Sequence, residues 1–297
     1  MNVVALDVGG TFIKHALIGE DAHIYAQGRV PTPRTSQKEF LACIQRILEG
    51  YQNREGITIS LPGTIDSDSG FVYQGGSLKY NAMSNLKELM QEQFACCVEI
   101  ENDAHCAALC EQWLGNLQGI RNAIVLTFGT GIGGCFIIHE KPYKGTHLFA
   151  GEVSILLSGD APAQGRAAIW GPQGSVVKLV ERIGAVKQVA ALDGKRAFQW
   201  IQKKDPIACE LFDAYCQDIA KQLFNLQLIL DPQRVCIGGG ASQDPIFTEG
   251  ICQALNKIYD QMTIAIPRLE VMPCKYHNDS NLIGALHHYL MKHASRM

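Results

Sequence analysis

Asn2-Val3-Val4-Ala5-Leu6-Asp7-Val8-Gly9-Gly10-Thr11-Phe12-Ile13-Lys14 is the stretch from which the rest of the chain is read. The apolar run Val3 to Leu6 has the length and composition of a buried strand. It ends at Asp7, turns through Gly9-Gly10-Thr11 and resumes as a second strand at Phe12. Adjacent glycines let the backbone turn tightly and approach a ligand. Their N–H groups, with the Thr11 hydroxyl, can face phosphate oxygens. Asp7, at the strand end, is placed to meet a hydrated Mg²⁺, which keeps most of its waters and takes one or two carboxylates. A plain hairpin would use the same residues, so the decision rests on the rest of the chain.

Outward from this hairpin, Gly19-Glu20-Asp21 turns into a third strand over Ala22 to Val30, broken by Pro31 and Pro33. Ser36-Gln37-Lys38-Glu39 is a capping box ahead of Phe40, Leu41, Ile44, Ile47 and Leu48 at helical spacing. Ile57 to Leu61 reads as a strand, followed by a loop rich in Gly (Gly70, Gly75, Gly76), a helix over Asn85 to Phe94 and a strand over Val98 to Ile100. Glu101-Asn102-Asp103 then leads into an amphipathic helix that stops at Gly115. From here the order repeats. Asn122 to Thr127 is a strand, Gly129-Thr130-Gly131-Ile132-Gly133-Gly134 a second Gly/Thr turn, and Cys135 to His139 the returning strand. Helices are expected over Gly174 to Ile183 and Ile207 to Leu230, a strand over Arg234 to Ile237 ending in Gly238-Gly239-Gly240, and a helix over Pro245 to Tyr259. A strand over Leu269 to Met272 and a helix over Leu282 to His293 close the chain. This is a duplicated α/β fold whose halves meet near residue 117, with the two turns expected to face each other across a cleft.

At 297 residues the chain has room for one or two domains with sizeable cores. A hydrophobic content of 47%, a charged content of 19% and a formal charge of −3 without a basic block describe an ordinary globule and argue against a nucleic-acid surface. No apolar run approaches the ~18 residues of a membrane span, and neither a leader peptide nor an N-terminal helix-turn-helix is expected ahead of the first strand. Several of the eleven cysteines (Cys43, Cys106, Cys110, Cys135, Cys236) sit in apolar periodic segments. That usage fits reduced core thiols of a cytoplasmic protein, and no Cys-x-x-Cys pair suggests a zinc ribbon.

Two Gly/Thr hairpins with an acid at one strand end suit a nucleotide polyphosphate. They form neither a Walker A loop nor a Rossmann turn, because each leads into a strand rather than a helix. Asp103 is the candidate base: phosphoryl transfer passes through a loose transition state, in which a carboxylate mainly orients the hydroxyl and accepts its proton. The same position suits a helix N-cap. Glu152, in Ala-Gly-Glu-Val-Ser, could bind sugar hydroxyls or be a solvated loop acid. Gly238-Gly239-Gly240 could admit an adenine or ribose, or punctuate the chain before a helix. His105, His139 and His147 lack metal-ligand spacing.

Over essentially its whole length the chain resembles the ROK (repressor, open reading frame, kinase) family of sugar kinases. The resemblance is carried by Asp7 to Thr11 with Lys14, Leu126 to Gly134, Glu101-Asn102-Asp103, Pro62-Gly63-Ile65-Asp66-Gly70, Ala150-Gly151-Glu152, Asp231-Pro232, Ile237 to Gly240 and Ile283-Gly284-Ala285. It implies an actin/hexokinase-like (ribonuclease H-like) fold with two domains and a central cleft. These would be residues 1–117, with the final helix 280–297 packing back on them, and residues 118–279. It further implies an ATP- and Mg²⁺-dependent cytoplasmic kinase, homodimeric, that closes around a small-molecule sugar and phosphorylates its 6-hydroxyl. Closure would exclude water and limit ATP hydrolysis. Asp103 would be catalytic; Asn102, Glu152 and Gly63 would bind the sugar; Asp7, Gly9, Gly10, Thr11, Lys14, Thr130, Gly131, Gly133 and Gly239 would bind ATP; and Asp7 would meet Mg²⁺ through water.

The chain also departs from the family pattern. Ile155 stands where the family has a His, Ser154 where it has a Gly, and no Cys lies between Cys135 and Cys209 to build its structural zinc site. No acid occupies Trp170 to Gln173, where a second sugar-binding Glu is expected. The resemblance is thus to the zinc-less branch that includes β-glucoside kinases. A larger or C1-substituted sugar suits the lost contacts. The alternatives are a glucokinase, an N-acetylmannosamine kinase, a weakened kinase and a non-catalytic sugar-responsive regulator.

Overall fold

Val3 to Val8 carry no polar alternation because β1 (Asn2–Val8) is covered on both faces. Val4, Leu6 and Val8 pack into one layer with Phe40, Ile44, Ile57 and Ile100. Val3 and Ala5 pack into another with Ala16, Ile18, Leu282, Leu286 and Tyr289. The computed structural model describes residues 1–158 and 165–293, and the chain divides into two compact units.

The first unit comprises Met1–Gln118, Lys144–Phe149 and the chain from Asp279 onward. After β1 come β2 (Phe12–Gly19), β3 (Ile24–Pro31), α1 (Gln37–Glu49), β4 (Gly56–Leu61), β5 (Thr64–Asp66), β6 (Phe71–Gln74), β7 (Ser84–Asn85), α2 (Leu86–Phe94), β8 (Cys97–Asn102) and α3 (Asp103–Trp113). Its main sheet has the order β3-β2-β1-β4-β8. The β1–β2 pair is antiparallel, with Asp7 opposite Lys14, while β4 and β8 run parallel to β1 and β4 respectively. Ser36 caps α1, accepting from Glu39 N–H at 3.2 Å.

The second unit comprises Gly119–Tyr143 and Ala150–Asn278. It contains β9 (Ala123–Phe128), β10 (Ile132–Ile138), β11 (Lys141–Tyr143), α4 (Trp170–Gly174), α5 (Val176–Val186), α6 (Gly194–Gln202), α7 (Pro206–Leu230), β12 (Arg234–Gly238), α8 (Pro245–Gln261) and β13 (Glu270–Pro273). The sheet order β11-β10-β9-β12-β13 reproduces that of the first unit strand for strand. Phe212, Ile219 and Leu223 of α7 and Phe247 and Ile251 of α8 pack on Ile124, Leu126 and Phe128 of β9. The last helix, α9 (Ser280–His293), returns to the first unit. No helix among the described residues is long and apolar enough to cross a membrane.

Some local expectations differ from what is observed. The Gly-rich loop is a small antiparallel sheet, β5-β6-β7, whose strands are too short to show a period. β3 begins at Ile24 because Ala22 holds a left-handed turn conformation, φ 65°. The helix expected from Gly174 starts two residues later, at Val176, where Ser175 caps α5 by accepting from Lys178 N–H at 3.2 Å. Lys144–Phe149 belongs to the first unit, although the sequence offered no reason to separate it from the second.

The α3–α9 packing makes the first unit sensitive to acid. His287 stacks on Trp113 with ring centroids 4.8 Å apart and planes 12° from parallel. Burial, with the neighbouring His288, pushes its pKa down to about 4. The folded ring therefore stays neutral where an unfolded one protonates, so stability falls as pH drops from about 6.5 to about 4 and then levels. Urea titrations over that range should show a loss of about 1–2 kcal/mol that His287→Phe abolishes, the partly exposed ring lowering the figure. An unchanged pH slope in the variant would assign the loss to other groups.

Candidate functional site

At the end of β1, Asp7 is buried and strongly held. Its Oδ1 accepts from Asn281 Nδ2 at 3.0 Å and from Ser60 Oγ at 3.4 Å, and its Oδ2 lies 3.3 Å from Lys14 Nζ. Lys14 is thus a partner of the acid across the hairpin. The Gly9 N–H closes the turn on Phe12 O at 3.0 Å, so it is directed into the turn rather than toward a ligand. Gly10 and the exposed Thr11 stand at the tip, braced by Thr32, whose hydroxyl donates to Gly9 O at 2.7 Å.

The second unit repeats the hairpin without the acid: Thr127 takes the place of Asp7, three residues before Thr130. Gly129 N–H closes this turn on Gly131 O at 3.0 Å. A Cβ on Gly129 or Gly131 would meet nothing within 4 Å, which leaves the tip open. Gly133 lies inside β10, paired with Thr127, and is not part of the tip. Beside Gly129 and Thr130 opens a cavity of about 800 Å³, lined among others by Val177, Phe198, Gly240 and Ala241. Gly239 lies behind the lining. Its φ of 93°, and a space that would bring a Cβ to 2.0 Å from Phe128 O, seat the end of β12 against the turn. Asp231 does not line the cavity; it is the left-handed C-cap of α7, φ 43°.

β8 delivers Asn102 and Asp103 to the start of α3. The cap is Asn102, not Asp103: its Oδ1 accepts from Ala104 N–H at 2.9 Å and His105 N–H at 3.2 Å, and its Nδ2 donates to Gly63 O at 3.0 Å. Gly63 permits this meeting with a φ of 117°, where a Cβ would stand 1.9 Å from Gln74 O. Asp103 is the first helical residue, and its Oδ1 accepts from Ala104 N–H at 2.8 Å. Asn102, Asp103 and Gly63 therefore form one local group in the first unit. Glu152 belongs to the second unit, where the Ser154 hydroxyl donates to its Oε1. Ile155 is half exposed, whereas Trp170 is completely buried in the core.

Sequence reasoning passed over Glu101, which is only 3% exposed. Burial alone would push its carboxyl up, but the His105 ring, followed by Lys144 and His288, holds it well below the usual carboxylate range. The available signal was the pair Glu99 and Glu101, two residues apart and hence on one face of an otherwise apolar strand. Among the described residues no cluster of three His, Cys, Asp or Glu has the geometry to hold a metal. Asp7 is a single strand-end carboxylate beside an open turn, which is the donor a phosphate-bound, largely hydrated Mg²⁺ requires.

The sequence profile of the ROK family matches residues 3–292. A β-glucoside kinase of Klebsiella pneumoniae is 28% identical over 295 residues, covering 97% of this chain and 96% of that protein. The structure of a ROK family protein from Streptococcus pneumoniae in complex with sucrose superposes with a TM-score of 0.87 at 27% identity, over 99% of this chain and 100% of that one. A ROK family glucokinase from Streptomyces griseus, in complex with glucose and AMPPNP, shares the fold at a TM-score of 0.83 and 23% identity, over 96% and 98% of the two chains. The architecture is the duplicated actin/hexokinase-like α/β fold.

Proposed function

The chain belongs to the ROK family and is a carbohydrate kinase, and from that premise we propose that it transfers the γ-phosphoryl group of ATP to the 6-hydroxyl of a β-glucoside. Asp103 orients the hydroxyl and accepts its proton as the phosphoryl group arrives. Asn102 donates to a neighbouring sugar hydroxyl with the Nδ2 hydrogen left over from its bond to Gly63, its Oδ1 being taken up by the Ala104 and His105 N–H groups. Gly63 fixes that amide by accepting from it. Glu152, oriented by Ser154, takes a further hydroxyl.

Gly10 and Thr11 face the phosphates from one turn and Thr130 and Gly131 from the other, while the cavity beside Thr130 takes the adenosine. Lys14 pairs with Asp7 and keeps it aimed at the end of β1. Mg²⁺, held through water on Asp7, would neutralise charge on the β- and γ-phosphate oxygens. In the same reading the enzyme works as a homodimer in the cytoplasm, where its eleven thiols stay reduced.

The observation that carries the choice of a β-glucoside is the loss of polar groups at two positions. Ile155 presents an apolar, half-exposed side chain, and Trp170, at the head of the acid-free stretch to Gln173, is committed to the core. A free C1 hydroxyl bound there would lose hydrogen bonds to water without replacing them. A C1 substituent needs only room. A coupled ADP-release assay with ATP·Mg²⁺ should give a kcat/KM for cellobiose or an aryl β-glucoside at least tenfold above that for glucose or N-acetylmannosamine. Glucose turned over far better than any β-glucoside would reject this acceptor.

A further inference from the structure

The Glu101 carboxylate divides its two oxygens between two tasks. Oε1 accepts from the backbone N–H of Asn102 at 2.7 Å, with His105 Nδ1 at 3.5 Å. Oε2 receives Lys144 Nζ at 2.7 Å, with His288 Nδ1 at 3.9 Å. Lys144 also donates to the Ser67 hydroxyl. It is the first residue of the short segment Lys144–Phe149 that belongs to the first unit while the chain on either side belongs to the second. A buried carboxylate is costly unless paired and hydrogen-bonded, so an anion at this position requires all of these partners at once.

We propose that Glu101 and Lys144 are positioning residues for the acceptor: the carboxylate, gripped by Lys144, pins the backbone from which Asn102 and Asp103 project. The inference rests on the reading that these two residues bind and activate the sugar. Neither Glu101 nor Lys144 touches the sugar or the phosphates in this scheme. Their effect is geometric, and a misplacement of about 1 Å at a catalytic group costs on the order of a hundredfold in rate. Without the ammonium, the carboxylate keeps only the imidazoles of His105 and His288 beside it and loses its hold on the Asn102 N–H. The same strand face carries a built-in comparison. Glu99, two residues earlier and equally buried, pairs with Lys87 Nζ at 2.8 Å and His293 Nε2 at 3.2 Å, remote from the Asn102 N–H.

The test compares Lys144→Met, Lys144→Arg and Lys87→Met in the full chain, by steady-state kinetics and by hydrogen exchange at the Asn102 amide. Lys144→Met should lower sugar kcat/KM tenfold or more with KM for ATP·Mg²⁺ within twofold, and speed Asn102 exchange at least tenfold. Lys144→Arg should restore half of the wild-type kcat/KM or more. Lys87→Met, which breaks an equivalent buried pair, should leave sugar kcat/KM and Asn102 exchange within twofold. Lys144→Met and Lys87→Met behaving alike in both readouts would overturn the proposal, since each would then be a structural ion pair. Unchanged Asn102 exchange in Lys144→Met would overturn it as well. A wild-type protein that turns over no sugar would reject the functional reading, while Asn102 exchange would still decide whether the pin exists.

Discussion

Asp103→Asn is expected to lower kcat by about 10²–10⁴-fold, the contribution of a positioned general base, with KM for the sugar almost unchanged. The substitution is clean because the structural duties at this corner belong to Asn102. That residue caps α3 through Ala104 and His105 and ties the helix start to Gly63. The bond that Asp103 accepts from Ala104 N–H at 2.8 Å can be accepted equally by an Asn Oδ1. The melting temperature should therefore stay within about 2 °C of wild type, which is the shift of well under 1 kcal/mol expected when no cap is lost. Asn102→Ala is the opposite case. It removes the cap and should cost about 1 kcal/mol of stability as well as sugar affinity. ADP release with the best acceptor, measured beside a thermal melt, separates the two. Retention of more than a tenth of the wild-type kcat in Asp103→Asn would remove Asp103 from the role of base.

Gly284→Ala should be the most damaging single methyl in the first unit. Gly284 lies in α9 where it crosses α3, and a Cβ there would stand 1.7 Å from the Cys106 carbonyl oxygen, with the Cys106 carbonyl carbon at 2.5 Å. The obstacle is helix backbone, which cannot rotate away as a side chain would. Overpacking of a tight core costs about 1–3 kcal/mol and more where backbone must shift. A loss of about 3 kcal/mol or more is expected here, or roughly 6–12 °C in melting temperature for a protein of this size. The displacement also reaches Asp7, since Asn281, one turn earlier in the helix, donates to its carboxylate at 3.0 Å. Urea unfolding of the two proteins checks this; a midpoint within 0.2 M of wild type, on the order of 0.5 kcal/mol at ordinary slopes, would refute it.

What the sequence disclosed was local, and what it withheld was mostly long-range. The two hairpins were legible because a strand, an Asp or Thr at its end and a Gly/Thr turn are consecutive residues. Their recurrence exposed the duplication that the matching sheet orders display. The identity of a glycine reports that the backbone can turn, not which N–H groups remain outside the turn. Gly9 and Gly133, one hydrogen-bonded across its own turn and the other inside β10, could not be told from Gly10 and Gly131 in advance. α6 went unseen although Asp193 caps it and Ala197, Phe198 and Ile201 form its buried stripe. Lys195, Arg196, Gln199 and Gln202 diluted the pattern, and with it was lost one wall of the 800 Å³ cavity. Lys144 and Glu101 meet across 43 residues, and no period announces such a pair.

The return of α9 to the first unit has a consequence for biosynthesis. Asp7 and the Asn281 amide that holds it are 274 residues apart, and Thr58 Oγ1 bonds Ala285 O across 227 residues at 2.6 Å. At ~5–20 residues per second on the ribosome, Asp7 waits roughly 14 to 55 s for this partner. Throughout that interval the face of the sheet bearing Val3, Ala5 and Ile18 lacks its cover of Leu282, Leu286 and Tyr289. The nascent first unit therefore carries an open apolar sheet face until the chain is almost finished, while the second unit, translated later, has its whole sheet in hand before the first is sealed.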